Sequence, residues 1–438
     1  MGQVFFPLDE ELKLLSGSLT PSLVESIVRL GTWMPFVPVT KGIAYFCHVS
    51  LSEPTARRKT EDAGAAYVEV QTAQVEAIAH EEGDGPDGPA VQQMSVDGAM
   101  VPLVHHAWGE VKTMVLGVIG PPVREKDEWH VHASQLSYFS RMTDHETFSR
   151  LATVETHRRG TARAGVVVAI NDGAEWEQEV VTDHRANAVR ILDWGHSAEH
   201  VSEVGRAVFG SDPTAEERWR KEHLRALKGD DPPPLLAELE RLQAVLATDE
   251  RGGAQAEAVR VVEANLLYFR KREEQIRYAT FAEQGYPIGS GAVESGNKLV
   301  VEARLKGAGM HWAPEHVDPM VALRTVACSD RWEDEWPLIS ERIRDRTKER
   351  AACRHIARQT AKTAATVPIA LPRQFEPEIT LPPPPITVPP SDERPATDPA
   401  SSEPDRSTTR SRKPAADHPW RHQPIGKARC RDHRFLAS

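Results

Sequence analysis

The sequence predicts an α/β protein: a mixed sheet with flanking helices, interrupted by an all-helical stretch and preceded by a small helical domain. Three observations carry that expectation. Alternating or continuous apolar runs over 91–97, 111–119 and 165–171 have the composition of strands. The order strand, strand, strand, helix, strand, helix, strand suits a mixed sheet covered by helices. Residues 196–284 show only charged, helical periodicity.

Taken in order, residues 1–82 read as helical, a candidate DNA-binding domain. Thr20-Pro21 starts a helix that Gly31 can end. A segment over 41–48 leads through Val49-Ser50-Leu51 to a helix opening at Ser52, with Pro54 in its first turn and Arg57, Arg58 and Lys59 after it. This is the outline of a helix-turn-helix that contacts DNA, although a basic triplet is also what a solvated helix face looks like. Residues 83–90, rich in Gly, Pro and Asp, form a linker. Strands follow near 91–97, 111–119 and 134–141, then a helix over 144–158, a strand over 165–171, a helix over 174–184 and a strand over 188–193. Residues 91–195 thus form the first part of the sheet domain and 286–362 its second part. Between them, 196–285 is a helical insertion whose Leu235, Leu236, Leu239, Leu242, Val245 and Leu246 recur at helical spacing. Residues 363–438, with Leu381-Pro382-Pro383-Pro384-Pro385 and a late run of arginines, cannot bury enough apolar area to offset chain entropy and read as a disordered tail.

The length of 438 residues allows two or three domains. A net charge of −11, from 64 acidic against 53 basic residues, excludes a generally cationic protein but not a local basic surface. Cys47, Cys328, Cys353 and Cys430 are dispersed, which gives neither a zinc ribbon nor a disulfide framework and points to a reducing compartment. The N-terminus lacks a signal peptide, and no window of about twenty apolar residues exists, so a cytoplasmic protein with no membrane partner is expected.

Three acids carry the chemistry. Asp97 ends an alternating run just before Gly98; Asp172 ends the run Val166-Val167-Val168-Ala169-Ile170-Asn171, just before Gly173. Glu294 opens a helix after Gly289-Ser290-Gly291-Ala292-Val293. If the first and fourth strands are neighbours, Asp97 and Asp172 lie side by side, and a helix across the sheet brings Glu294 to them. Clustered carboxylates repel one another, and a divalent cation removes that penalty. Hard oxygen ligands suit Mg²⁺ or Mn²⁺ rather than zinc. Two such ions, about 3.5–4 Å apart, promote in-line phosphoryl displacement. Each Asp-Gly alone is an ordinary turn; the three acids in this order make the pattern. A rival for the second acid is Asp193, which also ends a strand, in Asp193-Trp194-Gly195-His196. A different chemistry is open to His196-Ser197-Ala198-Glu199-His200, which fits the inverted zinc-metallopeptidase pattern H-x-x-E-H, although so short a pattern arises readily by chance among 18 histidines. Lys298 and Arg304, on the helix after Glu294, can contact phosphates or pair with Glu302. Trp108, Lys112 and Trp312 can face DNA, but sheet or core packing explains them as well.

Two long blocks resemble a known family. Ser95-Val96-Asp97-Gly98-Ala99-Met100-Val101-Pro102-Leu103-Val104, followed by Glu110-Val111-Lys112-Thr113, is similar to the first-Asp block of bacterial insertion-sequence transposases of the Kra group. Ile288-Gly289-Ser290-Gly291-Ala292-Val293-Glu294-Ser295, running on to Ala303-Arg304-Leu305-Lys306-Gly307-Ala308-Gly309-Met310-His311-Trp312, resembles their Glu block. Gly31-Thr32-Trp33-Met34-Pro35-Phe36 also looks like the family, and the resemblance covers about residues 5–340. It implies an RNase H-like core and a DDE transposase, distantly similar to Mutator-like enzymes, with Asp97, Asp172 and Glu294 as the metal-binding triad. Mutator-like enzymes carry a Cys-or-Asp, two residues, His element after the second catalytic Asp; Asp193 and His196 match it, which favours Asp172 as that acid. The resemblance further implies nucleoid-associated action on terminal inverted repeats and target DNA, and a homo-oligomer. A DNA-binding relic without catalysis would share the same blocks.

Overall fold

A computed structural model of the chain describes residues 19–80, 85–125, 128–247 and 252–366. The expected tail lies outside these residues from 367 onward, as do residues 1–18 and 81–84.

Five strands form one mixed sheet in the order β5-β2-β1-β6-β7. β1 (Val91–Pro102) and β2 (Trp108–Ile119) are antiparallel, and β5 (Ala133–Arg141) extends the sheet antiparallel beyond β2. On the other side β6 (Val166–Asn171) runs parallel to β1, and β7 (Val189–Leu192) parallel to β6. First and fourth expected strands are therefore neighbours. Two three-residue strands, β3 (Val123–Glu125) and β4 (Glu128–His130), make a separate hairpin that the hydrophobic pattern did not announce.

Three helices precede the sheet. α1 (Pro21–Trp33) is capped by Thr20, whose hydroxyl accepts from the Leu23 N–H. Gly31 does not end this helix, as expected from the sequence, because the chain stays helical until Met34 turns extended ahead of Pro35. Gly31 is instead the point of contact with α3 (Glu53–Ala79): a Cβ there would lie 2.4 Å from Thr60 Oγ1. α2 (Phe36–Cys47) begins five residues earlier than the 41–48 segment and stops at His48, in the left-handed region at φ 56°.

Helices cover both sheet faces. On one, α4 (His145–Arg158) and α5 (Glu175–Arg185) bury Phe148, Ala152, Val180 and Val181 against Met94, Val96, Met114 and Leu116. On the other, the described residues of 196–285 fold mainly into helices. α6 (Trp194–Phe209), α7 (Pro213–Gly229), α8 (Pro233–Ala247), α9 (Gly252–Lys271) and α10 (Tyr278–Glu283) follow in turn. Val201, Leu235, Leu239 and Phe269 of this group pack on Val168, Ile170, Ile191 and Leu192. The chain returns through α11 (Gly291–Gly296), a π-helical turn (Asn297–Glu302) and a last helical turn (Ala303–Leu305), then α12 (Pro314–Cys328) and α13 (Trp332–Thr366). One core joins Ile27, Val39 and Ile43 of the first helices to Val101 and Val115 of the sheet and to Val293, Val300, Leu305 and Met320. The amino-terminal helices are thus packed onto the segment that carries Glu294.

That packing is tight where α3 crosses α12. A Cβ on Gly64 would stand 2.1 Å from the Pro319 carbonyl oxygen, which is backbone and cannot rotate away. Gly64→Val is expected to lower stability by about 2–4 kcal/mol in urea unfolding. Gly229→Ala, with open space around its Cβ position, should stay within about 0.5 kcal/mol of the parent.

Candidate metal centre

The site forms where the sheet changes from parallel to antiparallel pairing. β1 pairs with β6 only from Val91 to Met94, yet with β2 it pairs as far as Pro102. Asp97 therefore sits inside β1, opposite Thr113, and not at the strand's tip as expected. Beyond Met94 the ladder is replaced by a side chain: the Val96 N–H donates to Asn171 Oδ1 at 2.8 Å. The chain leaves β6 at Asp172, which caps its own turn by accepting from the Ala174 N–H at 3.0 Å. Gly173 follows at φ +91°, a conformation that needs glycine. Asp97 and Asp172 are thereby neighbours.

Glu294 arrives from the other side. Alternation along β1 puts Asp97 on the same face as Ala99 and Val101, over which the Val293 helix lies. α11 closely approaches β2 and β5 at Gly296, where a Cβ would stand 2.9 Å from Val115 and 3.0 Å from Tyr138. This contact directs Asn297 at the first acid: its Nδ2 donates to Asp97 Oδ2 at 2.8 Å. Glu294, one turn earlier and exposed, accepts from the Ser290 hydroxyl at 3.3 Å. A cavity of about 220 Å³ brings Asp97, Asp172, Asp193, His196, Ser290 and Glu294 together.

Asp193 has a different position in this group. Its Oδ2 accepts from the His196 N–H at 2.8 Å, capping α6, and its Oδ1 accepts from the Ser290 N–H at 2.6 Å. It pins the loop that introduces Glu294 to the end of β7. His196 lies on the cavity wall, with its ring edge-on to His200 at 4.9 Å. His200 is held by Asn265, at 2.7 Å from Nδ1, and stacks on Tyr268 at 4.0 Å.

Two polar residues of the site gave no signal that was read from the sequence. Asn297 stands three residues after Glu294, a spacing that shares a helix face and could have revealed it. Glu177 is the larger omission. Among the described residues, Asp97, Asp172 and Glu177 form the one group of three or more His, Cys, Asp or Glu side chains whose ligand atoms all lie within 4.8 Å of one another. Glu177 is in the first turn of α5, where an acid ordinarily faces water and the helix dipole. Here it is 1% exposed.

Burial pushes the Glu177 carboxyl up to about 10, helped by a hydrogen bond with Asp172 and by the charges of Asp172 and Asp97. Burial also raises Asp97 above the ordinary carboxylate range; the Gly98 N–H opposes the rise, and Asp172 and Glu294 add to it. The cluster is short of positive charge, and its donors are hard oxygens. It could hold a metal ion.

The basic residues expected at DNA separate into two groups. Arg57, Arg58 and Lys298 are exposed, and Lys59 is half-buried. Arg304 is corrected: at 2% exposure it belongs to the core, donating through Nε to the Gly31 carbonyl at 3.0 Å, with its guanidinium over Phe36 and Trp312. Burial lowers it to about 10. Glu302 pairs with Lys306 instead, at 2.6 Å. Lys112 is also buried, donating to Glu110 at 2.7 Å and to the Thr143 carbonyl at 3.1 Å, and Trp312 is a core residue.

Compared with known proteins, the chain matches no family model and no curated protein. No helix among the described residues is long and apolar enough to cross a membrane.

The Glu177 shift has a measurable sign. Its folded-state value of about 10 lies above its ordinary value of 4.5, so between those pH values the folded chain binds the extra proton. This contribution is complete below about pH 4.5 and is lost as pH rises. Urea unfolding in EDTA from pH 5 to 9 should show stability falling with pH, and Glu177→Gln should make the slope shallower by up to about 1.4 kcal/mol per pH unit.

Proposed function

We propose that the chain is an insertion-sequence DNA transposase of the DDE type, with an RNase H-like core interrupted by the helical segment over 196–285. The observation that carries this reading is that Asp97, Asp172 and Glu294, from three distant parts of the sequence, line one cavity. The order of those acids, the parallel β1–β6 pair beneath two of them and the resemblance of both motif blocks to Kra-group transposases support it.

The residues present fit a divalent cation: carboxylate oxygens converge, and the buried Glu177 Oε2 has no hydrogen-bond partner. Asp97, Asp172 and Glu294 are the residues that would hold Mg²⁺ or Mn²⁺. When bound there, the metal supplies activation of water or a 3′-hydroxyl and neutralises charge on the leaving oxygen. The chain's own part is alignment. Asn297 fixes the Asp97 carboxylate, Asp193 fixes the loop before Glu294, and the Gly173 turn fixes Asp172. The substrate phosphodiester would be the one at the end of an element, and the freed 3′-hydroxyl would attack target DNA. Exposed Arg57, Arg58 and Lys298 are the side chains offered to phosphates, and the pairing of two inverted-repeat ends calls for a homo-oligomer. The setting of this reaction is the nucleoid in the cytoplasm.

Asp97→Asn should keep the fold and DNA binding while Mg²⁺-dependent cleavage at the element's ends falls at least about 10³-fold. Gel assays on end-labelled repeats measure it, and wild-type cleavage by this variant would rule out the role of Asp97. Asp172→Asn should lose as much. Asp193→Asn should retain measurable cleavage, because its carboxylate serves a helix cap and a loop.

A further inference from the structure

We propose that Glu177 is the third carboxylate ligand of the cation held by Asp97 and Asp172, in a role separate from that of Glu294. The proposal rests on the metal-dependent reading of the site and adds a residue to it. Three carboxylates with ligand atoms within 4.8 Å of one another supply a set of hard donors at one point, and Glu294 is not within that set. The independent observation is the state of Glu177 itself. It is 1% exposed, and its Oε2 has no hydrogen-bond partner. Leaving a buried acceptor unpaired costs about 1–3 kcal/mol, and more when the group is charged. A cation between Glu177 and the two aspartates would satisfy that oxygen and offset the mutual repulsion of all three.

The positions divide the work. Glu177 approaches from α5, on the Met94 and Val96 side of the sheet, whereas Glu294 approaches from the Ala99 and Val101 side and is exposed. The trio, with Glu177 as its buried member, would hold one ion. Glu294 faces the open cavity, where a substrate phosphate would enter.

A different account makes Glu177 a protonated acid that only donates to Asp172. Glu177→Gln separates the two, because the carboxamide keeps the volume and the donor but loses the charge. The probe is Mn²⁺ alone, titrated into the full chain without DNA and followed by electron paramagnetic resonance. The expected result is a rise of at least about tenfold in the Kd of the tightest site for Glu177→Gln, against less than about threefold for Glu294→Gln. Wild-type Mn²⁺ affinity in a folded Glu177→Gln protein overturns the proposal. If that variant does not fold, crystals of the unmodified chain with Mn²⁺ decide. An anomalous peak within about 2.5 Å of a Glu177 oxygen supports it, and a peak on Asp97 and Asp172 alone overturns it. Failure of the transposase reading looks different: Mn²⁺ binding would depend on Glu177 while no DNA end is cut.

Discussion

The parallel pairing of β1 with β6 brings two carboxylates together that would otherwise repel each other. The pairing lasts four residues, from Val91 to Met94. It then ends while β1 continues along β2, so one edge of β1 opens just as Asp97 is reached. Asn171 fills the missing rung with its side chain, and Asp172 peels away beside the gap. Placed so, the pair lies beside the buried Glu177. Burial and mutual charge raise Asp97, and the same causes act more strongly on Glu177 behind it. The fold therefore holds an electrostatic debt at this point, and only a hydrogen-bond donor, a proton or a cation can settle it.

The helices over 196–285 contribute more than cover. The end of α9 and the residue after it reach the Asp172 turn: the Tyr268 hydroxyl donates to the Asp172 carbonyl at 3.1 Å, and the Arg272 guanidinium donates to the Gly173 carbonyl at 2.7 Å. Arg272 lies over the Tyr268 ring at 3.9 Å, which orders both donors. Each bond is to backbone, so the acid's carboxylate is left for other partners while its main chain is clamped. At the far end of the segment, the Tyr278 hydroxyl donates to the Leu192 carbonyl, one residue before Asp193. Both aspartates at the ends of β6 and β7 are thus braced by residues more than eighty positions later, which a graft of inert helices would not do.

What the sequence made legible was the part governed by local pattern. Strands β1, β2, β5, β6 and β7 have the alternation or the apolar runs that their burial requires. The β3–β4 hairpin, with three residues per strand, has too few positions to show a period. Arg304 shows the limit from the other direction. Its burial depends on Gly31, Phe36 and Trp312, none of which a helical pattern around 304 can bring to mind. Glu175 and Glu177 are alike in sequence, yet Glu175 is exposed and pairs with Lys271 at 2.6 Å, whereas Glu177 turns inward to the acids. Two residues of helical rotation separate a solvated charge from a buried one, and the direction of that rotation is set by how α5 docks, not by the acids themselves.

The choice between Asp172 and Asp193 as partner of Asp97 can also be argued from commitments. Both oxygens of Asp193 accept from backbone N–H groups, at a helix cap and at the Ser290 loop. A backbone donor cannot rotate away, so taking either oxygen for a metal would uncap α6 or release the Glu294 loop. Asp97 also accepts two hydrogen bonds, but one comes from the Asn297 amide, a side chain able to turn aside and offer its own oxygen. Asp172 spends one oxygen on its own turn. An acid can serve as a ligand when at least one of its oxygens is not tied to a backbone donor. By that criterion Asp193 fits the frame that presents Glu294, and Asp97 and Asp172 fit the proposed centre.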